Sequence, residues 1–277
     1  MSTIDVAADA TPEQRGWMLR ALVAAHTDGP RLIRLGPGRW DLGTAFALVR
    51  GTTTLRGAGR ELTQIVGRGE NHSATACMVE AAGDDVVLED LTIRWEGGRG
   101  AQSQAVGYGS PNAPSGARLT LRRCTIIGGM FALYSWPGQA NSILAEDCTI
   151  RAARFPVCAG NSSGARGQFV ELVRCPIECD STLHDTGRQP GTKSDIYRIA
   201  YGIYARGGRV RAVDCAFIIK GDREMAAVLG VGIPEDAAPQ TRVELVRPRF
   251  DLWGNGAGRV AEFESLQPPA TIEVVAA

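Results

Sequence analysis

The chain lacks an excess of charge of either sign. It has 277 residues, with 30 Lys and Arg against 30 Asp and Glu, so its formal net charge is zero, and only three His are present. Surfaces that bind nucleic acid or anionic membranes usually carry a net positive charge. We therefore expect neither partner. Charged residues make up 22% of the chain and apolar residues 44%, a composition that excludes intrinsic disorder.

Long apolar runs and an export signal are also missing. No stretch approaches the ~18 consecutive apolar residues of a membrane-spanning helix. The N-terminus, MSTIDVAADATPEQ, has no basic start followed by an apolar run, which is the pattern of a secretory signal peptide. The number of Cys is odd, at seven. Together these features predict reduced thiols and a cytoplasmic protein.

Helix signals are confined to the beginning of the chain. Thr11-Pro12-Glu13-Gln14 combines an N-cap residue, Pro at the first helical position and an acceptor at the third, which predicts a helix over 11–28. Apolar residues follow at helical spacing: Trp17, Leu19, Leu22 and Val23. Beyond Gly29 the chain has short β-branched runs between turn residues, and Gly accounts for 34 of 277 residues, roughly 12% against an average near 7%.

A six-residue motif repeats through this second part. Its copies are LEDLTI (88–93), LRRCTI (121–126), AEDCTI (145–150), LVRCPI (172–177), AVDCAF (212–217) and LVRPRF (245–250). Aligned on the fourth residue, the copies are spaced by 33, 24, 27, 40 and 33 residues, and segments 32–43 and 52–67 look like two opening coils. A fixed strand motif with variable insertions predicts a solenoid. Strand, two-residue corner and strand match one coil of a right-handed parallel β-helix.

Three columns follow from stacking the copies about 4.8 Å apart. The fourth residues are expected to stack inside: Leu91, Cys124, Cys148, Cys175 and Cys215. The sixth residues are expected to form a second interior column: Ile93, Ile126, Ile150, Ile177, Phe217 and Phe250. The third residues alternate in charge: Asp90, Arg123, Asp147, Arg174, Asp214 and Arg247. Opposite charges on adjacent coils attract, so we interpret this column as a ladder at a corner that fixes the register.

On these repeats, and on Gly36-Pro37-Gly38-Arg39-Trp40 and Leu55-Arg56-Gly57-Ala58-Gly59, the chain resembles the pectin-lyase-like right-handed β-helix superfamily. The resemblance covers roughly residues 30–265. It implies a single all-β domain of about seven to eight coils, a capping helix at 11–28, and a tail or cap at 266–277. The superfamily includes lyases, hydrolases, esterases, epimerases and non-enzymes, so the fold alone leaves the function open.

The resemblance also implies a location for the ligand, along the strand that precedes each motif. These groove strands are expected at 77–81, 105–109, 131–136, 156–160, 201–206 and 227–233. Alternation of side chains then places Leu133, Ser135, Ile203 and Ala205 inside. The candidate catalytic residues, which point outward, are Tyr134, Tyr204 and Arg206. The candidate substrate-binding residues are Trp136, Glu80, Met78, Tyr108, Tyr201, His184 and His72, and the direction of Tyr108 is ambiguous by one residue.

The longest insertion, 180–198, is expected to form a wall beside the groove, because loops of this length are usually functional. It carries His184, and His72 lies in an equivalent earlier loop. A His in such a loop is more often an exposed, non-catalytic residue than a catalytic one.

Metal and cofactor signals are absent from the predicted groove. The superfamily's calcium-dependent lyases need several groove carboxylates, its hydrolases need closely placed Asp residues, and its esterases need Asp with Gln and Arg. The predicted strands offer only Glu80. Cys175 and Cys179 have no second cysteine pair at zinc spacing. We therefore expect neither a metal nor a cofactor.

Three functional hypotheses remain open. The first is a cofactor-independent intracellular enzyme that binds a largely apolar, flexible small molecule in an aromatic groove and promotes its cyclisation, of Diels-Alder type, since the chain resembles small β-helix cyclases of bacterial polyketide pathways. Such a reaction needs a folded substrate and a few hydrogen bonds. The second is a divergent polysaccharide lyase, epimerase or carbohydrate-binding protein. The third is a non-catalytic scaffold. The sequence does not determine the oligomeric state.

Overall fold

The structure is a computed structural model. It describes residues 2–6, 9–25, 29–68, 77–97, 104–108, 116–135, 141–160, 168–180, 199–221, 224–231, 241–254, 259–264 and 270–275.

The predicted helix is present as α1 (Pro12–Ala24). Its capping box is confirmed: the Gln14 amide donates to Thr11 Oγ1 and the Thr11 amide donates to Gln14 Oε1. Leu19 and Val23 are buried, but Trp17 is 70% exposed, so its expected place on the apolar face is wrong. Gly16 takes that place instead, because the helix approaches the first coil so closely that a Cβ on Gly16 would lie 1.9 Å from the Asp41 carbonyl oxygen.

The strands, numbered in chain order, form three parallel sheets. Sheet A contains β1 (Ser2–Val6), β2 (Arg31–Leu35), β5 (Thr52–Arg56), β8 (Asp85–Glu89), β11 (Arg118–Arg122), β14 (Ser142–Glu146), β17 (Phe169–Val173), β20 (Arg209–Val213), β23 (Arg242–Val246) and β26 (Thr271–Val275). Sheet B contains β3 (Gly38–Asp41), β6 (Thr63–Gly67), β9 (Thr92–Trp95), β12 (Thr125–Ile127), β15 (Thr149–Ala152), β18 (Pro176–Asp180), β21 (Ala216–Gly221) and β24 (Arg249–Gly254). Sheet C contains β4 (Ala47–Val49), β7 (Val79–Ala81), β10 (Gln104–Tyr108), β13 (Phe131–Ser135), β16 (Phe155–Ala159), β19 (Ile199–Arg206), β22 (Glu224–Val231) and β25 (Arg259–Glu264).

Each coil runs from sheet A through a tight corner to sheet B and then to sheet C. The predicted right-handed parallel β-helix is confirmed, with eight strands each in sheets B and C. Two strands of sheet A were not predicted. β1 pairs with β2 ahead of the helix, and β26, which lies in the expected tail, pairs with β23.

Both predicted interior columns are confirmed. The register pairs Ile93 with Ile126 and Ile126 with Ile150, and the same column continues to Phe250. The stacked Cys side chains are fully buried free thiols. Because they lie between apolar neighbours on adjacent coils, they pack as small hydrophobic side chains.

The charge ladder occupies the corner between sheets A and B. All six of its residues have left-handed backbone conformations, with φ between 48° and 57°. Each Arg binds the Asp of the preceding coil through two hydrogen bonds, in the pairs Arg123–Asp90, Arg174–Asp147 and Arg247–Asp214. The ladder therefore consists of three forked ion pairs that join neighbouring coils.

Candidate functional site

The strands of sheet C precede the repeat motifs and correspond to the predicted groove strands. Two columns of residues point outward from it. The first contains Cys77, Gln104, Phe131, Phe155, Tyr201 and Ala226, and the second contains Glu80, Gly107, Tyr134, Cys158, Tyr204 and Leu229. The columns are three residues apart because two consecutive residues between them, such as Ala132 and Leu133, both belong to the interior core.

The presence of two consecutive inward residues in these strands determines the side-chain direction of several predicted site residues. Tyr134, Tyr204 and Glu80 lie in the outward columns, as predicted. Tyr201 also points outward, although strict alternation from Ile203 would place it inside.

Met78 was predicted to point outward because it lies two residues before Glu80, and this prediction is wrong. Met78 and Val79 are the two consecutive inward residues of their coil, and both belong to the interior core.

Tyr108 also points inward, because Gly107 takes the outward position of its strand. Its hydroxyl is buried without a hydrogen-bond partner, and burial together with the Asp85 carboxylate raises the pKa of this phenol. Arg206 ends β19 beside Val231, which packs in the outward cluster. The candidates Trp136, His184 and His72 lie outside the described residues.

Five side chains of the two columns form an aromatic cluster: Phe131, Tyr134, Phe155, Tyr201 and Tyr204. The Phe155 ring stacks on Phe131 at 5.5 Å and on Tyr201 at 5.9 Å between centroids. It also contacts the Tyr204 ring at 5.3 Å, and Phe131 meets Tyr134 edge-on at 5.3 Å. Sequence reasoning missed Phe131 and Phe155. The sequence does contain a signal for them, because Phe131, Phe155 and Tyr201 are aromatic residues that each lie three residues before a member of the second column.

Most of the aromatic cluster is buried although it lies on the outer face of the sheet. Tyr134 is 2% exposed, Tyr201 3%, and Phe155 6%, and only Tyr204 is half-buried. Their ring faces are occupied by one another, so they do not offer a free stacking platform to a ligand. The accessible edge of the site is therefore at Tyr204 and the half-buried Arg206.

Two arginines flank the aromatic cluster. The Arg154 guanidinium carbon lies 4.4 Å from the Phe155 ring centroid, a cation–π contact in which Arg154 is itself buried. At the other end of the strands, Arg206 Nε is shielded from solvent and has no hydrogen-bond partner. Glu80 and the Cys77–Gln104 pair, joined by a 2.8 Å hydrogen bond from the thiol to Gln104 Oε1, lie on earlier coils. The site thus combines cations with phenolic hydroxyls.

The described residues give no sign of a metal site or a membrane-spanning helix. Among them, no three His, Cys, Asp or Glu side chains are close enough to hold an ion. No helix in the same ranges is long and apolar enough to cross a bilayer. A depression of about 350 Å³ occurs where sheet B leads into sheet C, lined by Arg94, Trp95, Ile127 and Arg151 among others, and its lining includes Ala153, the residue before Arg154.

Comparison with known proteins establishes the fold. No protein-family model and no curated protein sequence matches the chain. The solved structure of YbhC from Escherichia coli superposes with a TM-score of 0.60 at 12% identity, over 99% of this chain and 83% of that chain. Pectin methylesterase PemA from Erwinia chrysanthemi superposes with a TM-score of 0.55 at 11% identity, over 98% of this chain and 92% of that chain.

A pectin methylesterase solved in complex with a hexasaccharide gives the same TM-score of 0.55, at 11% identity over 98% of this chain and 92% of that chain. At such identities the likeness concerns the fold alone. The chain is thus a right-handed parallel β-helix protein. Its two outward columns contain Gln104 and Glu80 but no Asp, so within the described residues the Asp side chains expected of an esterase are missing from these columns.

Proposed function

We propose that this protein binds an acidic saccharide on the outer face of sheet C, as a carbohydrate-active β-helix protein of the lyase or epimerase type. The observation that carries the proposal is Arg206. Its Nε is a charged donor that is shielded from water without a partner, which is unfavourable in the free protein. A ligand carboxylate would satisfy this donor and pair with its charge.

Tyr204 supports the same proposal. It points outward two residues before Arg206, and both side chains are half-buried, so a ligand can reach them. Lyases and epimerases of uronates both begin by removing the proton on the carbon next to the carboxylate. An arginine bound to that carboxylate makes the proton more acidic, and a tyrosine beside it can exchange the proton. Arg206 and Tyr204 have the chemistry for these two roles.

The fold adds a second line of support. Pectin methylesterases share it, and one of them is solved with a hexasaccharide. We propose that this chain also uses its helical surface for a saccharide, but with different chemistry, because the outward columns lack Asp in the part of the chain that the structure describes.

Binding of trigalacturonate tests the proposal, measured by isothermal titration calorimetry with and without calcium. The loss of a charged hydrogen bond predicts that Arg206→Gln weakens binding by about tenfold or more. Tyr204→Phe should retain binding within a few fold and lose turnover, measured as formation of an unsaturated or epimerised product. Arg211→Gln, on sheet A, is the matched control and should have no effect. A wild-type protein that binds no acidic saccharide would contradict the proposal.

Cyclisation of an apolar small molecule remains a second candidate function. The half-buried Tyr204 at the edge of the aromatic cluster favours it, because a flexible hydrocarbon chain can pack against this accessible edge. Thermal stabilisation by polyene-carbonyl compounds, reduced by Tyr204→Phe, would support this candidate over the first. Absence of any response to either ligand class would favour a non-catalytic scaffold.

A further inference from the structure

The depression where sheet B leads into sheet C has a volume of about 350 Å³ and shares no lining residue with the two outward columns of sheet C. It crosses three coils, because β9, β12 and β15 each contribute to its lining. A depression of this size is at the lower end of the range of ligand pockets. It is therefore a candidate for a second binding site.

One outward column of sheet B runs through the depression. The register aligns Arg94 with Ile127 and Ile127 with Arg151 on the next coil. The two arginines thus lie on either side of Ile127, with Cα atoms about 10 Å apart for strands spaced by about 4.8 Å. Because an arginine side chain is long and flexible, two guanidinium groups at this spacing can converge on one anion above the isoleucine.

The two arginines are only weakly paired within the protein. Arg94 Nε lies 3.9 Å from Glu96 Oε1, which is beyond hydrogen-bond distance, and Glu96 is instead bound by Arg39 at 2.6 and 2.9 Å. On the other side, Arg151 Nε lies 3.8 Å from Glu178 Oε2. Within the described residues, neither guanidinium therefore donates a hydrogen bond to the protein. Their side chains are 53% and 44% exposed, so a ligand can reach both.

Other columns of the solenoid place a carboxylate beside an arginine. On sheet A, for example, Arg122 donates to Glu146 of the adjacent coil at 3.1 Å. The sheet B column also accepts carboxylates, because Glu178 and Asp251 occupy it on later coils. Between its two arginines, however, it has the apolar Ile127. The fold thus leaves two neighbouring cations without a carboxylate between them, which suits an anion from outside.

The rest of the lining is apolar or small. Trp95 and Ile127 are half-buried, and Gly128 and Gly129 leave the next turn without side chains. A Cβ on Gly97 would lie 2.5 Å from Trp95 Cζ2, so the indole lies directly over this glycine. The depression therefore combines an aromatic and aliphatic surface with two cations.

We infer that this depression is a second saccharide-binding site, which takes one uronate residue. Its carboxylate binds Arg94 and Arg151, because guanidinium groups form forked, charge-assisted hydrogen bonds to carboxylates. The apolar C–H face of the sugar ring packs on Trp95 and Ile127. The choice of an acidic sugar rests on the proposed function, whereas the two cations favour an anion by charge complementarity alone. We call Arg94, Trp95, Ile127 and Arg151 the sheet B site.

Isothermal titration calorimetry with digalacturonate tests the inference by separating two sites. In Arg206→Gln only the sheet B site should remain, so binding there is measured in this background. We expect Arg94→Gln and Arg151→Gln each to weaken it by about tenfold or more, as for a lost charged hydrogen bond. Arg249→Gln removes another exposed arginine of sheet B, outside the lining of the depression, and should leave the dissociation constant unchanged.

A further variant keeps both arginines. Ile127→Glu places a carboxylate between them, where it should take the position of the ligand carboxylate. We expect binding at the sheet B site to weaken by about tenfold or more. The melting temperature should not fall, because the new carboxylate can pair with an arginine on each adjacent coil. Ile127→Gln is the matched neutral control and should retain binding within about threefold.

The outcomes separate this inference from the proposed function. If Arg206→Gln abolishes all binding while Arg94→Gln and Arg151→Gln bind as the wild type does, the inference fails and the proposed function stands. If Arg206→Gln has no effect and the other two variants lose binding, the inference stands and the proposed function fails. Inorganic phosphate that binds Arg206→Gln as tightly as digalacturonate does would overturn the assignment to a sugar acid.

Discussion

At the scale of single residues, Arg31 connects the capping helix to the first coil. It is 1% exposed, and burial lowers the pKa of its guanidinium. Its Nε donates to Thr53 Oγ1 at 2.8 Å, and its two Nη atoms donate to the carbonyls of Leu22, Val23 and Arg50. Leu22 and Val23 are in the last turn of α1, whose carbonyls have no partners within the helix. One cation thus caps the helix and fixes it to sheet A.

Replacing Arg31 by Met should destabilise the fold. The substitution keeps most of the apolar stem but leaves three carbonyls, one of them in a buried contact, without their charged donor, so we expect the free energy of unfolding to fall by about 3 kcal/mol. Urea denaturation measures this change. Arg34→Met, on the same strand with a 52% exposed side chain and a 3.7 Å ion pair to Asp5, is the control and should cost less than about 0.5 kcal/mol. Equal losses in both variants would contradict this role of Arg31.

At the scale of elements, the corner between sheets A and B combines two opposing effects. A left-handed conformation costs a non-glycine residue roughly 1–2 kcal/mol. The forked ion pairs partly offset this cost, for example at Asp147, whose carboxylate binds Arg174 through contacts of 2.7 and 2.9 Å. Corner conformation and ion pair therefore contribute separately to the stability of each coil.

Two substitutions of Asp147 separate these contributions. Asp147→Asn retains a residue that tolerates the left-handed conformation and removes only the charge, so we expect a loss below about 1 kcal/mol that shrinks in concentrated salt. Asp147→Val adds a β-branched side chain to the same backbone and should cost roughly 1–2 kcal/mol more, independent of salt. Denaturation at low and high salt measures both. Equal losses for the two variants would show that the conformation at this corner carries no strain.

Sheet C shows where prediction from sequence reaches its limit. Strict alternation gave the outward direction of Tyr134 and Tyr204 correctly, because each lies beyond the doubled inward pair of its strand. The same rule failed for Met78, which lies within such a pair. A period of two is a property of a regular extended strand, whereas several of these strands place two consecutive residues in the interior core.

At the scale of the whole molecule, several carboxylates are bound to arginines of neighbouring coils, and these contacts favour their ionised form. Hydrogen bonds from Arg123, Arg174 and Arg247 hold the pKa values of Asp90, Asp147 and Asp214 below their ordinary range. A hydrogen bond from Arg39 does the same for Glu96. These contacts join different coils, so their titration affects the solenoid as a unit.

Stability should therefore be lost in acid. The pKa values of these carboxylates are lower in the folded state than in the unfolded chain, so their contribution is complete above about pH 4–5 and disappears as the pH falls through the folded values. We expect a melting temperature that is nearly constant from about pH 7 to 5 and falls steeply below about pH 4. A decline that begins near pH 6 would contradict this and point to protonation of histidine.

The sequence by itself determined the coil, its register and its corners. Each copy of the motif has Leu91 or a later equivalent in the interior column and an Asp or Arg at the corner. Because equivalent positions of adjacent copies stack on one another, the repeat predicts which residues are in contact. Only the tertiary structure decided the site: the inward turn of Met78 and Tyr108, the stacking of Phe131 on Phe155, and the unpaired Nε of Arg206. The physical reason is that side-chain direction in sheet C and the pairing of buried polar atoms depend on contacts with other coils that lie outside the six-residue motif.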